Sequence, residues 1–166
     1  MSTVYKLTDS DLKTYEGYQW ALGETRTFTG TGELCGPGWA HAYTHPLLAV
    51  LLNPIHANFS TYRLFEAEGV IGQTDHGLKV GCSTLTLTKE IRVPAVTTEQ
   101  RIQFAIFCAL AVYAEPSFVA WAERWLSGLD RFETAAWAAA WAAESAAKAS
   151  IDLIDLAKAA CAGSTK

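Results

Sequence analysis

The chain has 166 residues, half of them hydrophobic, and its 13 basic and 17 acidic side chains give a net charge of −4. This length suits one domain, and this apolar content excludes a disordered chain. The charges are spread evenly and form no basic tract that could neutralise phosphates, which argues against direct nucleic-acid binding.

Four cysteines lie far apart in the sequence, and no two of them form a Cys-x-x-Cys pair. They are Cys35, Cys82, Cys108 and Cys161. We therefore expect reduced thiols in a cytoplasmic protein. The first residues contain no apolar core, so we expect no secretory signal. The longest apolar stretch, residues 104–114, is too short to span a bilayer.

The N-terminal half contains several strand-like segments separated by turns. In the last of them leucine alternates with threonine, as in a strand with one buried face. The strands are predicted over residues 4–7, 25–29, 61–71 and 79–91. The last two are separated by a short polar turn, which predicts a hairpin. Turn-forming glycines and a proline crowd residues 30–39, so we predict an irregular loop there.

One short helix interrupts these strands. Its body is the apolar run over residues 47–52, and Pro46 lies in its first turn. Thr44 or His45 is predicted to cap its N-terminus, and the Asn-Pro pair that begins at Asn53 is predicted to end it.

The character of the sequence changes after Pro94, where helical patterns replace strands. Thr97 and Gln100 have the spacing of a capping box, which predicts the start of a helix. That helix extends over residues 102–113 and is apolar on nearly every face, so we expect it to be buried. A second helix is predicted over residues 116–128, ending at a glycine that suits a C-cap.

A third helix is predicted to begin at Asp130, with Glu133 completing its capping box. Its alanines favour a helix that continues to Ala162. Such a helix would be about 50 Å long, which exceeds the width of a domain of this size. It must therefore project from the body or bend, and Ser150 is a candidate position for the bend.

These patterns together predict an α+β protein. Residues 1–95 form a small, mainly antiparallel sheet with one short helix, and residues 96–166 form a three-helix module. We expect the two parts to form one compact unit.

The last predicted helix carries an aromatic stripe bordered by charge. At helical spacing, one face of this helix contains Trp137, Trp141, Glu144, Ile151 and Asp155, together with Lys148 and Ile154. Alanines and leucines occupy the opposite face and suit close packing. We therefore predict that the aromatic stripe binds a partner. The alternative is that Trp137 and Trp141 pack on Trp121 and Trp125, which repeat the same spacing.

A cysteine and two histidines in and after the glycine-rich loop are candidate metal ligands. Cys35, His41 and His45 could supply three zinc ligands, but no fourth ligand is suitably spaced and Pro46 follows directly. We predict that the protein binds no metal and no cofactor.

A pair of glutamates on one predicted strand suggests an alternative, enzymatic function. Glu66 and Glu68 lie two residues apart and so share one face of the strand. With Arg26 and the Ser-Thr pair at Ser83, they match the residue types that ADP-ribosyltransferases use. In that family, however, the Ser-Thr strand precedes the paired glutamates, and here it follows them. We therefore predict a solvated strand face without catalytic residues.

Much of the chain resembles uncharacterised proteins of bacteriophages and prophages. The similar segments are residues 17–38, 63–69, 98–105, 125–131 and the Ala-Ala-Trp units of residues 135–141. The resemblance implies an accessory protein of a mobile element. Such proteins are often small binders that disable a host defence complex, anti-CRISPR proteins among them.

The sequence thus favours a non-enzymatic protein binder that blocks a host protein or a protein–nucleic acid complex. We expect it to act as a monomer or dimer in the cytoplasm of the host cell, without contact with a membrane. Two alternatives remain open. One is an ADP-ribosyl-transfer enzyme centred on Glu66 and Glu68, and the other is an assembly protein that oligomerises through its helical tail.

Overall fold

The computed structural model describes residues 1–129 and 151–162, and the chain divides into two compact units, Met1–Ala95 and Val96–Lys166. The first unit is a sheet with two short α-helices and a short 3-10 helix (Tyr15–Gly17), and the second consists of helices in its described residues. The predicted α+β fold with a mainly antiparallel sheet is therefore confirmed.

Unit 1 is built from a long hairpin to which shorter strands are added. Its elements are β1 (Ser2–Asp9), β2 (Thr25–Thr27), β3 (Ala40–Ala42), α1 (Pro46–Leu51), α2 (Asn53–His56), β4 (Tyr62–Thr74) and β5 (Val80–Ile91). β1 pairs with β4, and β4 pairs with β5. β2 and β3 pair with successive parts of the free edge of β5. All these pairings are antiparallel.

The sheet closes on itself through the residue that follows β3. Tyr43 and Tyr5 exchange two backbone hydrogen bonds, of 2.8 and 2.9 Å. This single bridge joins β3 to β1, so β1, β4, β5 and β3 form a closed ring. Closure pairs backbone groups at the edges of β1 and β3 that would otherwise be open to pairing with another chain.

The inside of the ring is the apolar core of unit 1. Strand alternation points every second side chain inward, and cross-strand partners share a face. The buried cluster consists of Val4, Trp20, Ala40, Ala42, Phe65, Ala67, Val80, Cys82, Leu85 and Leu87. Lys6, on the same face of β1 as Val4, also points inward.

Residues 30–39 form an irregular loop, as predicted, and Trp39 fixes the loop to the sheet. The Trp39 ring is buried, and its Nε1–H donates a 3.1 Å hydrogen bond to the carbonyl oxygen of Gly32. The ring lies against Gly72 of β4 and Gly81 of β5, where an added Cβ would overlap side-chain atoms of the loop. The two glycines therefore make the groove that seats the loop.

We expect Gly72→Ala to destabilise unit 1 by about 1–3 kcal/mol, because its methyl group would overlap the Trp39 ring. In the Trp39→Leu variant, Gly72→Ala should lower the free energy of unfolding much less, because the ring atoms that its methyl group would overlap are gone. Urea unfolding of the four proteins in this double-mutant cycle measures the difference. An equal cost in both backgrounds would contradict this packing.

The predicted helix cap and the predicted helix end are both confirmed, but a second short helix follows directly, which the sequence did not predict. Nδ1 of His45 accepts a 3.2 Å hydrogen bond from the Leu47 backbone N–H, with Pro46 in the first turn. α1 ends at Leu51, but Asn53 begins a further helix, α2. Because a proline is tolerated in the first turn of a helix, the Asn-Pro pair that follows the end of α1 also begins α2.

Unit 2 contains the helices α3 (Thr98–Leu110), α4 (Pro116–Leu126) and α5 (Leu153–Ala162) among its described residues. The predicted capping box of Thr97 and Gln100 is confirmed, with reciprocal bonds of 2.8 and 3.1 Å. The Gln100 side chain also donates to the carbonyl oxygen of Cys161, which ties α3 to α5.

The helix that ends at Ala162 begins at Leu153, close to the bend that the sequence predicts near Ser150, and it does not extend back as one unbroken helix. Ile151 and Asp152 are not helical, and α5 begins after them. The Asp152 carboxylate accepts from the backbone N–H groups of Ile154 and Asp155, at 3.0 and 3.1 Å, which caps the new helix. The alanine content favours helix on both sides of this point, but the aspartate stabilises a helix start.

Within residues 1–129 and 151–162, no helix combines the length and the apolar character that crossing a bilayer requires.

Candidate functional site

A cleft of about 190 Å³ lies where β3 closes the ring of unit 1. Polar and aromatic side chains dominate its wall. The lining residues are Lys6, Leu7, Thr14, Tyr15, His41, Tyr43, His56, Ala57, Phe59 and Lys79. We call this site the cationic cleft, because among these described residues there are two lysines and neither an aspartate nor a glutamate.

Lys6 is the most unusual residue of the cleft, because its ammonium group is almost completely buried. The residue is only 7% exposed. Its Nζ donates a 2.6 Å hydrogen bond to the carbonyl oxygen of His41 and lies 5.0 Å from the centre of the Trp20 ring. Burial lowers the pKa of Lys6 to about 8, a shift that the nearby Cys82 partly opposes.

His41 lies close to both lysines of the cleft. Its Nε2–H donates to the carbonyl oxygen of Leu34, which anchors the ring to the irregular loop. Burial lowers the pKa of His41; the bond to Leu34 opposes this effect, and the charges of Lys6 and Lys79 add to it. The imidazole is therefore neutral at pH 7, and the positive charge of the cleft resides on the lysines.

Lys79 and Cys35 form the outer part of the cleft. The Lys79 Nζ donates to the Cys35 sulfur at 3.1 Å, and a thiol is a weak hydrogen-bond acceptor. Among the described residues, neither Lys6 nor Lys79 makes an ion pair with a carboxylate. Lys79 is thus held in place without being neutralised.

Tyr43 and His56 form the aromatic wall of the cleft. Their rings stack with centres 5.9 Å apart, and the Tyr43 hydroxyl shares a 3.1 Å hydrogen bond with Nδ1 of His56. Burial raises the pKa of Tyr43. Burial also lowers the pKa of His56 to about 4, assisted by Lys79 and His41 and opposed by Asp75. Both side chains are therefore neutral at pH 7.

These groups give the cleft a definite chemistry. It presents two cationic donors and a neutral aromatic wall in a protein whose net charge is negative. Lowered lysine pKa values are typical of functional sites, although buried structural groups produce them as well. The cationic cleft can therefore bind a negatively charged group.

The burial of Lys6 makes stability depend on pH with a defined sign. Between pH 8 and 10.5 the unfolded state keeps the lysine proton that the folded state has lost, so stability rises with pH in this window. We expect the unfolding free energy of the wild type, minus that of Lys6→Met, to increase by up to about 3 kcal/mol across it.

Urea unfolding at several pH values measures this difference. Burial raises the pKa of Cys82 to about 11, which acts in the opposite direction, but that thiol is present in both proteins. Lys89→Met serves as the control, because Lys89 is exposed. If the difference in unfolding free energy between the wild type and Lys6→Met stays constant from pH 8 to 10.5, burial does not lower the pKa of Lys6 as described.

A second surface of unit 1 is defined by Tyr15, Tyr18, Leu22, Arg26 and Phe28, and we call it the aromatic segment. Tyr15 is 84% exposed, Leu22 58% and Tyr18 39%. The Tyr18 ring packs on Phe28 with centres 5.6 Å apart, and the Arg26 guanidinium lies 5.9 Å from the Tyr18 centre. Large apolar side chains are thus held at the surface.

The predicted partner-binding residues belong to unit 2. Trp137, Trp141 and Glu144 lie outside the described residues. Ile151 is half-buried and precedes α5, whereas Asp155 is exposed in its first turn, with the Lys158 ammonium 3.6 Å from its carboxylate. The assignment of these five residues to an interface stays a prediction.

The candidate metal ligands have other partners. Cys35 contacts Lys79, His41 binds the Leu34 carbonyl, and His45 caps α1. In the described part of the chain, no three histidine, cysteine or acidic side chains lie close enough together to hold a metal ion.

The sheet separates the residue types that suggested ADP-ribosyl transfer. Glu68 is aligned with Thr86, and Thr86 with Thr25; these side chains share the outer face. Arg26 is aligned with the buried Leu85, so it leaves β2 on the side of the sheet opposite to Glu68. There its guanidinium lies over the Tyr18 ring. The arginine and the glutamate pair lie on opposite faces of the sheet, so they cannot act on one substrate from these positions.

Sequence reasoning did not single out Lys6, Tyr43, His56 or Lys79 as site residues. One signal was present: Lys6 lies two residues after Val4, on the face of β1 that strand alternation predicts to be buried. A lysine at such a position is a buried cation unless the register shifts. The closure that brings Tyr43 and His56 beside it has no local signature.

The fold and its cleft define a small α+β protein with a cationic site where β3 closes the sheet. The chain belongs to the family described as "Domain of unknown function (DUF7666)", whose model matches residues 2–99. This match covers nearly all of unit 1 and reaches the first turn of α3. No curated protein and no solved structure matches the chain.

Proposed function

We propose that the chain is a non-enzymatic binding protein that holds a partner protein through the aromatic segment of unit 1. The observation that carries the proposal is the exposure of Tyr15, Tyr18 and Leu22 within eight residues of sequence. Tyrosine and arginine are enriched in protein interfaces, and large aromatic side chains supply much of their binding energy.

The contacts around Tyr18 support this role, because they fix the ring before a partner arrives. Trp20 and Phe28 pack on the Tyr18 ring, with centres 5.2 and 5.6 Å away, and Arg26 covers it further. A ring that is already ordered loses little conformational entropy on binding. The same exposure in a loosely held loop would contribute less affinity.

The extent of the family match also supports unit 1 as the binding part. The match spans residues 2–99, so a property common to the family resides there. The predicted stripe of Trp137 and Trp141 lies beyond this range. We therefore propose the aromatic segment as the primary surface and the stripe as a second surface, to be tested beside it.

For the partner, we propose a host protein or a protein–nucleic acid complex, as the resemblance to phage and prophage proteins implies. Exposed carboxylates such as Glu16, Glu24 and Glu68 suit a partner that normally holds nucleic acid, because they would compete with phosphates for basic residues. Binding should then weaken as the salt concentration rises.

The proposal is tested by affinity capture from host lysate, followed by affinity measurement with the identified partner. We expect Tyr18→Ser and Leu22→Ser each to cost about 2 kcal/mol of binding, roughly 30-fold in affinity. Val70→Ser is the matched control, because Val70 is 43% exposed on β4 outside the segment. Its affinity should be close to that of the wild type.

Two further measurements separate the possible results. Thermal melts of each variant show whether a loss of binding reflects unfolding. Trp137→Ala and Trp141→Ala test the stripe in the same assay. Loss of binding in these two variants, with Tyr18→Ser and Leu22→Ser unaffected and all melts unchanged, would overturn the aromatic segment as the interface and favour the stripe.

A further inference from the structure

We propose that the cationic cleft binds the phosphate group of a small phosphorylated ligand. The cleft adjoins the aromatic segment and shares Tyr15 with it, but the inference does not depend on a protein partner. It rests on the cleft itself, which places two lysines, a hydroxyl group and an aromatic wall around one cavity of about 190 Å³.

The first argument is the uncompensated charge. Lys6 is buried with a carbonyl oxygen and a ring face as partners, and Lys79 contacts a thiol. Burying an ammonium group is costly unless an anion or strong acceptors surround it. No aspartate or glutamate is among the described lining residues, and neither lysine makes an ion pair with a carboxylate of the described chain, so both ammonium groups are available to an external anion.

The second argument is the set of hydrogen-bond donors. Oγ1 of Thr14 accepts a 2.9 Å bond from Nε1–H of Trp20, so the Thr14 hydroxyl proton is directed elsewhere and can reach a ligand. The Lys79 ammonium can exchange its weak thiol contact for a phosphate oxygen. Lysine binds phosphate as a mobile point charge, and two such charges match a phosphate dianion better than a carboxylate.

The third argument is size. Cavities that enclose drug-sized ligands usually measure about 300–1,000 Å³, so this cleft holds a phosphate and a few further atoms. The remainder of the ligand would lie against the Tyr43–His56 stack and the exposed ring of Tyr15. This arrangement favours a phosphate monoester whose attached group is planar.

The test uses phenyl phosphate as the probe, with benzoate and inorganic phosphate for comparison, at constant ionic strength. Binding to the full chain is followed by the NMR shifts of the cleft residues. We expect saturable shifts with phenyl phosphate, weaker binding of inorganic phosphate, and the weakest binding of benzoate. Lys79→Ala should lower the affinity for phenyl phosphate by about tenfold or more.

Lys6→Met tests the buried cation, and Lys79→Ala keeps the proposal testable if Lys6→Met does not fold. Lys89→Ala is the control, since Lys89 is an exposed lysine of β5 that does not line the cleft. Three results would overturn the proposal: no saturable shift in the cleft, benzoate binding as tightly as phenyl phosphate, or an equal loss of affinity in Lys89→Ala. The second result would identify a carboxylate pocket instead.

Discussion

The bridge between Tyr5 and Tyr43 is the interaction on which the arrangement of unit 1 depends. β3 has only three residues, and it is held by β5 on one edge and by this bridge on the other. Closure places the carbonyl oxygen of His41 within reach of the Lys6 ammonium and brings Tyr43 beside His56. Without it, Lys6 would lie at an open edge where water could solvate its charge. The cationic cleft is therefore a consequence of closing the ring.

Burying a lysine in a core position carries a free-energy penalty, because its charged group loses its contact with water. A residue such as methionine would fill the same space without the desolvation penalty, and replacing buried ions by apolar residues often stabilises a protein. Retaining Lys6 beside a second lysine is therefore more readily explained by binding than by stability, as perturbed pKa values in clefts often are. The aromatic segment is likewise more readily explained by binding than by stability, because the large side chains of Tyr15 and Leu22 are exposed there.

Local patterns in the sequence predicted the elements well but not the site. The hairpin of β4 and β5, the His45 cap and the capping box at Thr97 depend on neighbouring residues, and these predictions hold. The ring closure joins residues 38 positions apart, and no local pattern encodes it. The opposite faces of Arg26 and Glu68 likewise follow from strand register. At Asp152, one capping side chain outweighed the helix propensity of the surrounding alanines.

The central claim is that closure of the ring buries the charged Lys6 side chain in the cleft. The most direct measurement is an NMR titration of Lys6 with lysine labelled at the carbon next to Nζ, assigned by comparison with Lys6→Met. Our account predicts that Lys6 loses its proton with a pKa of about 8, well below the ordinary value of 10.5. It also predicts that phenyl phosphate raises this pKa, because a bound anion stabilises the ammonium form. Titration of Lys6 near 10.5, in the range of exposed lysines, would contradict the account.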